Sequence, residues 1–236
     1  PWFEPEDIEH EARIARAVYA SGLPAPAVGE TIRLGRRLGL VYQRVEGATM
    51  WSDLFKRPWQ VLHHAQRLAH LHAEMHASLA QADLPSQRRR LIEKISRAQA
   101  LPEHLRSRAL AVLESLPDGE RLCHGDFHPG NVLLTRQGEV IIDWIDATRG
   151  NPLADLARTT ILALGAAACQ VQGVAPRLMV RLLHAAYLRR YFGLRPGGQA
   201  EHRRWLPVVA AARLSEDIPE LRAWLVAWVE RGLPGG

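Results

Sequence analysis

Residues 122–152 constrain this chain more than any other stretch: two short apolar runs, Val132-Leu133-Leu134 and Val140-Ile141-Ile142, flank a Gln137-Gly138 turn inside a sequence that otherwise reads mostly as helix. A Gly-containing turn between two β-rich runs predicts an antiparallel hairpin. Leading into it is Cys123-His124-Gly125-Asp126-Phe127-His128-Pro129-Gly130-Asn131, and leading out is Asp143-Trp144. Asn131 immediately precedes the first strand and Asp143 immediately follows the second. Antiparallel pairing returns both to the open end of the hairpin, about 5 Å apart in the pairing direction. An amide oxygen beside a carboxylate suits a hard cation, and Mg²⁺ in particular is held by one or two carboxylates, with phosphates and water completing its octahedron. Asp126 lies five residues before Asn131 among Gly125, Pro129 and Gly130, in a loop where a carboxylate can face a cleft and accept a proton.

The rest of the chain supplies the frame. Residues 5–21 carry Ile8, Ala12, Ala15, Val18 and Tyr19 at helical spacing, with Gly22, Pro24 and Pro26 beyond the end, which predicts one amphipathic helix. Short runs at 31–34 and 39–45, separated by Gly35-Arg36-Arg37, predict a first hairpin. Helical pattern returns at 61–78, 86–98, 105–116, 153–168, 176–192 and 199–230. With no repeat or long linker, the natural cut lies near Glu46-Gly47, giving a small α/β part (1–46) and a large helical part (47–236) in an α+β architecture. A length of 236 residues with 47% apolar and 23% charged side chains supports a sizeable core and excludes a disordered chain.

Several function classes lose support. The 30 basic and 25 acidic residues leave a net charge of +5, enough to permit contact with anions but too little to argue nucleic-acid binding. Cys123 and Cys169 are the only cysteines and suggest neither a disulfide framework nor a thiolate zinc site, so the expected compartment is a reducing cytoplasm. The uncharged run between Arg158 and Arg177 contains Gln170, Gln172, Gly173 and Pro176, which spoil it as a membrane span. His72 and His76 share a helix face at the spacing zinc uses, but Glu74 is one position late for His-Glu-x-x-His and no third ligand is evident. A helix packed near the cleft is the preferred reading. Arg88-Arg89-Arg90 reads as a solvated face.

The order Asp126, Asn131, Asp143 matches the phosphoryl-transfer template of a catalytic-loop Asp, a metal-binding Asn and a metal-binding Asp. On that string, on Val140 to Trp144 and on Gly150-Asn151-Pro152-Leu153-Ala154-Asp155-Leu156-Ala157, the sequence resembles the aminoglycoside phosphotransferase family of small-molecule kinases, related in fold to choline kinases and protein kinases. Weaker likeness runs through Gly22 to Pro26, Val41 to Gly47 and Leu68 to His72, so it covers about residues 5–160. The resemblance implies a protein-kinase-like two-lobed fold, with a truncated N-lobe of one helix and a β-hairpin, and a mainly helical C-lobe containing the catalytic hairpin. It implies that Asp126 orients and deprotonates a substrate hydroxyl while Asn131 and Asp143 hold Mg²⁺ on the phosphates of ATP or GTP. Glu11 would be the helix glutamate that pairs with a phosphate-binding lysine, and Tyr42 the gatekeeper. Gln43 and Val45 would offer backbone to adenine, His128 would belong with the cofactor-binding residues, and Asp155 would tie down the catalytic loop. Bland alternatives stay open: a turn former at Asp126, a solvated helix face at Glu11, a cap at Asp143.

The pattern also breaks. The only lysines, Lys56 and Lys94, follow the hinge, and no Gly-rich phosphate loop occurs. The expectation is therefore a chain lacking an N-terminal segment of roughly 30–60 residues, judging from strand and turn lengths, and a poor catalyst as it stands; the alternative is a nucleotide- or metabolite-binding pseudokinase. The expected partner is a small-molecule hydroxyl compound, with no nucleic acid and no membrane, and the oligomeric state is open. A polycationic aminoglycoside calls for an acidic pocket, with Asp146, Glu216, Asp217 and Glu220 as candidates. Sugars, amino alcohols, homoserine-like compounds and macrolides remain as other acceptors.

Overall fold

In the computed structural model, which describes residues 5–35 and 37–233, α1 (Pro5–Ala20) buries Ile8, Ala12, Ile14, Ala15 and Val18 along one side. Gly22, at φ 76, turns the chain out of the helix. Strands β1 (Val28–Leu34) and β2 (Arg37–Tyr42) then pair antiparallel, Thr31 opposite Leu40 and Leu34 opposite Arg37. Of the turn expected at Gly35-Arg36-Arg37, Arg36 lies outside the described residues. A hinge leads into β3 (Ala48–Thr49) and α2 (Met50–Lys56), where Thr49 caps the helix by accepting from Ser52 N at 3.0 Å.

The expected hairpin forms, but its turn falls at Arg136-Gln137, one residue earlier than the Gln137-Gly138 turn expected, so Ile142 and not Asp143 directly follows the second strand. Strands β5 (Val132–Thr135) and β6 (Gly138–Ile141) pair Val132 with Ile141 and Thr135 with Gly138. Strand β3 adds to the outside of β5, which ties the hinge to the hairpin. A separate ribbon, β4 (Arg121–Cys123) against β7 (Thr148–Gly150), pairs Cys123 with Thr148. The loops on either side of the hairpin therefore leave and return through adjacent strands.

The remaining helices are α3 (Val61–Met75), α4 (Gln87–Arg97), α5 (Glu103–Ser115), α6 (Pro152–Gly165), α7 (Val174–Leu194), α8 (Gln199–Arg213) and α9 (Pro219–Gly232). The single helix expected over 199–230 is two helices. Asp217 is left-handed at φ 48, Ile218 is extended at φ −87 and ψ 107, and Pro219 takes the first position of α9. A proline disfavours helical geometry in the residue before it but suits a helix start. Also absent from the sequence reading were α2 and the short strands β3, β4 and β7. With sheets confined to these short pieces, the architecture is α+β, a kinase-like fold with a small N-lobe and a helical C-lobe.

Two apolar cores hold it together. The first joins Ile14 and Val18 of α1 to Met50, Leu54, Leu68, Phe127, Val132, Trp144 and Tyr187, so α1 packs across the hinge. The second lies among α4, α5, α8 and α9 around Trp205 and Leu221. Helix α6 stands between them, with Leu156 in the first core and Ala157 and Ile161 in the second. The stretch Pro152–Gln170 is long and apolar enough to cross a membrane by length and composition; here its apolar side chains build both cores.

Helix α6 also carries the central polar group of the fold. Asp155 is 1% exposed. Its Oδ1 accepts from Gly125 N at 2.8 Å, and its Oδ2 accepts from His124 N at 2.7 Å, His72 Nε2 at 3.1 Å and His76 Nε2 at 3.2 Å. The other nitrogens, His72 Nδ1 and His76 Nδ1, accept from the hydroxyls of Tyr187 and Tyr191, the latter at 2.6 Å. The network assigns both rings as neutral Nε2–H tautomers. His72, His76 and Asp155 are the one cluster with metal-ligand spacing among the described residues, yet the ring lone pairs and both carboxylate oxygens are engaged in hydrogen bonds. Burial, then the neighbouring His76, hold the His72 ring down at about 4. Burial would raise Asp155, but hydrogen bonds from His72 and His76 outweigh it and hold the carboxyl well below its usual range.

These shifts set a direction for acid sensitivity. His72 protonates near 4 in the fold against 6.5 in an unfolded chain, so the unfolded state binds more protons between those values and stability falls as pH drops through that window. Burial lowers His76 in the same sense, and Asp155 adds to the loss below 3.8. Urea denaturation between pH 7 and pH 4 should show a loss on the order of 3 kcal/mol from His72 alone. A flat midpoint across that range would mean that the imidazoles do not stay neutral in the fold.

Candidate active site

Three side chains of α6 grip the loop before the hairpin from one helix face, since residues three and four apart are neighbours on a helix. Asp155 takes the N–H groups of His124 and Gly125. Arg158 donates from Nε to Gly125 O at 3.1 Å and from Nη2 to Asp126 Oδ1 at 2.9 Å, and the Thr159 hydroxyl donates to Phe127 O at 2.8 Å. Gly125 sits at φ 81, and a Cβ there would collide with the carbonyl oxygen of Asp146. His124 links the loop to the second strand: its Nε2 lies 3.1 Å from Ile142 O and its Nδ1 accepts from Asp126 N at 3.2 Å.

Asp126, thus held, lines the main cavity with its side chain 25% exposed. Besides Arg158, its carboxylate has His128 Nε2 at 3.4 Å and Asn131 Nδ2 at 3.5 Å. Burial opposes its ionisation, but the hydrogen bond from His128 and the charge of Arg158 win and hold the carboxyl far below the usual carboxylate range. His128 uses its other nitrogen, Nδ1, to accept from Gly130 N at 3.0 Å, so both ring nitrogens serve the loop. Asn131 is buried and donates from Nδ2 to Asp126 O at 2.9 Å. Its amide nitrogen is thereby fixed, and the remaining acceptor is Oδ1.

Asp143 stands at the other strand end. Ile142 N donates to Asn131 O at 2.9 Å, so Asp143 follows directly on the residue paired with Asn131. It is exposed and left-handed at φ 64, a conformation Asp tolerates better than most residues. Trp144 anchors it by donating from Nε1 to Ile141 O at 2.9 Å and packing on His124. Partial burial raises the Asp143 carboxyl, and the charges of Asp126 and Asp146 push the same way against His124 and His128. Carboxylates that disfavour one another's ionisation, with the Asn131 amide at the neighbouring strand end, are oxygen donors of the kind a hard divalent cation such as Mg²⁺ takes.

The expected N-lobe residues fall in two places. Glu11 and Tyr42 join Asp143 in a cavity of about 250 Å³, where the Tyr42 hydroxyl donates to Glu11 Oε1 at 2.8 Å. Burial, then that hydrogen bond, push the phenol up. Gln43 and Val45 border a different cavity of about 760 Å³, between the hinge and the hairpin turn at Thr135 to Gln137. Gln43 N donates to Ala27 O at 2.8 Å.

The main cavity, about 570 Å³, has an apolar wall that includes Leu68, Leu162, Val180 and Leu183, and a polar rim facing Asp126. Of the four acidic candidates, Asp146 and Glu216 line it, while Asp217 pairs with Arg222 at 2.7 Å on an exposed surface. Arg158 was missed in the sequence; it bridges Asp126 to Glu216, which it meets at 2.6 Å. Its spacing of three from Asp155 on a predicted helix is the signal that would have found it.

A family model described as "Phosphotransferase enzyme family" matches residues 3–199. Solved structures with a similar fold include a thermostable mutant of aminoglycoside phosphotransferase APH(4)-Ia in a ternary complex with ADP and hygromycin B. It is 19% identical with a TM-score of 0.63, covering 96% of this chain and 80% of that one. Aminoglycoside-3'-phosphotransferase of type VIII is 27% identical with a TM-score of 0.57, covering 90% of this chain and 80% of that one. A choline/ethanolamine kinase family protein from Mesorhizobium loti is 18% identical with a TM-score of 0.59, covering 97% and 79% respectively. No curated protein matches.

The geometry at Gly125 makes a stability prediction. Gly125→Ala combines a positive φ with a backbone collision, so chemical denaturation should show a loss of at least about 2 kcal/mol. A variant as stable as the parent would mean that the loop is not held against Asp146 in solution.

Proposed function

The chain belongs to the phosphotransferase enzyme family, and from that membership we propose that it moves the γ-phosphoryl group of ATP, or of GTP, to a hydroxyl of a small molecule. The observation that carries this reading is the hairpin end: Asn131 with its amide oxygen left as acceptor, Asp143 beyond the paired Ile142, and Asp126 on the adjoining cavity. Asn131 and Asp143 would hold Mg²⁺, which supplies charge neutralisation on the nucleotide phosphates. The N–H of Gln43 is engaged with Ala27, so the backbone group it offers adenine is its carbonyl, with Val45 two residues further along. His128 supports the site by holding Asp126 and the Pro129 turn rather than by a free ring nitrogen. Both cysteines are free, in keeping with a cytoplasmic setting.

The state of Asp126 defines its task. Held so far below the carboxylate range, it is a weak base toward an alcohol. Phosphoryl transfer runs through a loose transition state in which the hydroxyl keeps its proton until late, so orientation matters more than proton affinity. Asp126 aligns the hydroxyl and receives the proton as the new bond forms. Its titration lies below the range of ordinary assays, so it should contribute no acid limb between pH 5 and 8.

The second reading, a pseudokinase, keeps the same site and binds nucleotide without transferring its phosphoryl group. Protein made from the complete reading frame separates the two. For a kinase, Asp126→Asn should cut turnover by about 10²–10⁴-fold while leaving AMP-PNP affinity unchanged, and Asp143→Asn should weaken Mg²⁺-dependent AMP-PNP binding. Near-normal turnover in Asp126→Asn would remove its assigned role. Nucleotide binding without turnover of any hydroxyl compound would favour the pseudokinase.

A further inference from the structure

A side chamber of about 50 Å³ opens beside the main cavity and shares Lys94, Asp146, Arg158 and Arg213 with it. Of five buried side-chain polar atoms without a hydrogen-bond partner among the described residues, two belong to residues lining this chamber and lack an ion pair at that atom as well: Thr148 Oγ1 and Arg213 Nε. Arg213 is 6% exposed. Four cations from three helices converge there: Arg90 and Lys94 of α4, Arg158 of α6 and Arg213 of α8.

The carboxylates nearby are each shared already. Glu216 meets Arg158 at 2.6 Å, Arg213 at 3.0 Å and Lys94 at 3.9 Å, and Asp146 meets Arg90 at 3.3 Å and Lys94 at 3.9 Å. Asp155 turns both oxygens to the loop and the histidines. Each guanidinium offers five N–H groups and no acceptor, so donors exceed acceptors in the chamber. Burial and the charge of Arg158 pull Arg213 down to about 10, the response of a cation short of counter-charge. The volume suits a carboxylate-sized group, because a single water needs only about 10–15 Å³ on this measure.

We propose that the acceptor substrate carries an anionic oxygen group that seats in this chamber on Arg213, with Thr148 beside it, while its hydroxyl meets Asp126. This rests on the phosphotransferase reading of the main cavity and names the substrate class within it: a hydroxy acid or similar anionic alcohol whose apolar body lies against Leu162 and Leu183. A polycation would find no carboxylate here that is not already bridged.

Isothermal titration with benzoate, benzamide and benzylammonium, equal in shape and different in charge, tests the chamber without turnover. Benzoate should bind at least about tenfold more tightly than either analogue, in keeping with charge-assisted bidentate pairing to arginine. Arg213→Gln should abolish that preference. Thr148→Val, which removes only the hydroxyl, should retain the fold and weaken benzoate by about threefold or more; it decides the matter if Arg213→Gln fails to fold. No saturable benzoate binding, equal binding of the three probes, preference for benzylammonium, or unchanged affinity in Thr148→Val would overturn the proposal. So would saturable binding of sulfate without benzoate, since that marks a free inorganic anion site. AMP-PNP binding measured with Mg²⁺ on the same protein tests the kinase reading separately: its absence with the benzoate preference intact counts against transfer and not against the anion site.

Discussion

A carboxylate removed from water is among the most expensive groups a fold can bury, and it is tolerated only where donors surround it. Asp155 has four, contributed by His72 of α3, by His76 directly after it, and by the backbone of His124 and Gly125. Behind the two imidazoles stand Tyr187 and Tyr191 of α7. One ion thus locks three helices and the loop carrying Asp126 into a single arrangement. The arrangement is directional: each donor points inward, so losing one member leaves a buried charge under-satisfied and weakens the rest. The loop carrying Asp126 is therefore fixed from behind, independently of what occupies the cleft in front.

That fixation lets the site keep opposite charges close without collapse. Arg158 shares its guanidinium between Asp126 and Glu216, and Arg213 joins Glu216 from α8. Asp126, Arg158, Glu216 and Arg213 form one alternating chain along the rim of the main cavity. Its end at Asp126 presents a carboxylate whose backbone carbonyl is held by the Asn131 amide nitrogen. Its end at Arg213 presents donors in excess of acceptors. Asp143 lies outside this chain, and partial burial, with the charges of Asp126 and Asp146, raises its carboxyl.

Much of this was legible in the sequence, for physical reasons that can be named. The β5–β6 hairpin was legible because its apolar runs are short, β-rich and separated by a glycine turn, and hairpin geometry alone brings Asn131 and the residue before Asp143 together. Asp155 was legible through family likeness, while His72 and His76 showed only a shared helix face; their partner lies 83 and 79 residues away. The ribbon β4–β7 and strand β3 were not legible, since two- or three-residue strands carry no periodicity of their own and exist because a distant partner supplies the hydrogen bonds. The break between α8 and α9 was visible at Pro219 and was overridden by apolar spacing that continues on both sides. Arg158 stood one turn from Asp155 on the expected helix, but its second carboxylate partner, Glu216, reaches it from a different segment.

The same contrast explains why fold and substrate separate in this family of shapes. The hairpin, the Asp155 lock and the two cores involve backbone groups and apolar packing, which many sequences can reproduce. Acceptor chemistry instead depends on the balance of donors and acceptors at the ends of α4, α6 and α8, where a single exchange of charge changes what the cavity can solvate. Here Glu216 and Asp146, the acidic residues best placed to receive a cationic acceptor, are already held by Arg158, Arg213, Arg90 and Lys94. Freeing Glu216 for an ammonium group would leave the buried guanidinium groups of Arg158 and Arg213 short of their partner, a larger penalty than one new surface-like ion pair returns. The cavity's own ion pairs therefore select against a polycation before any substrate arrives.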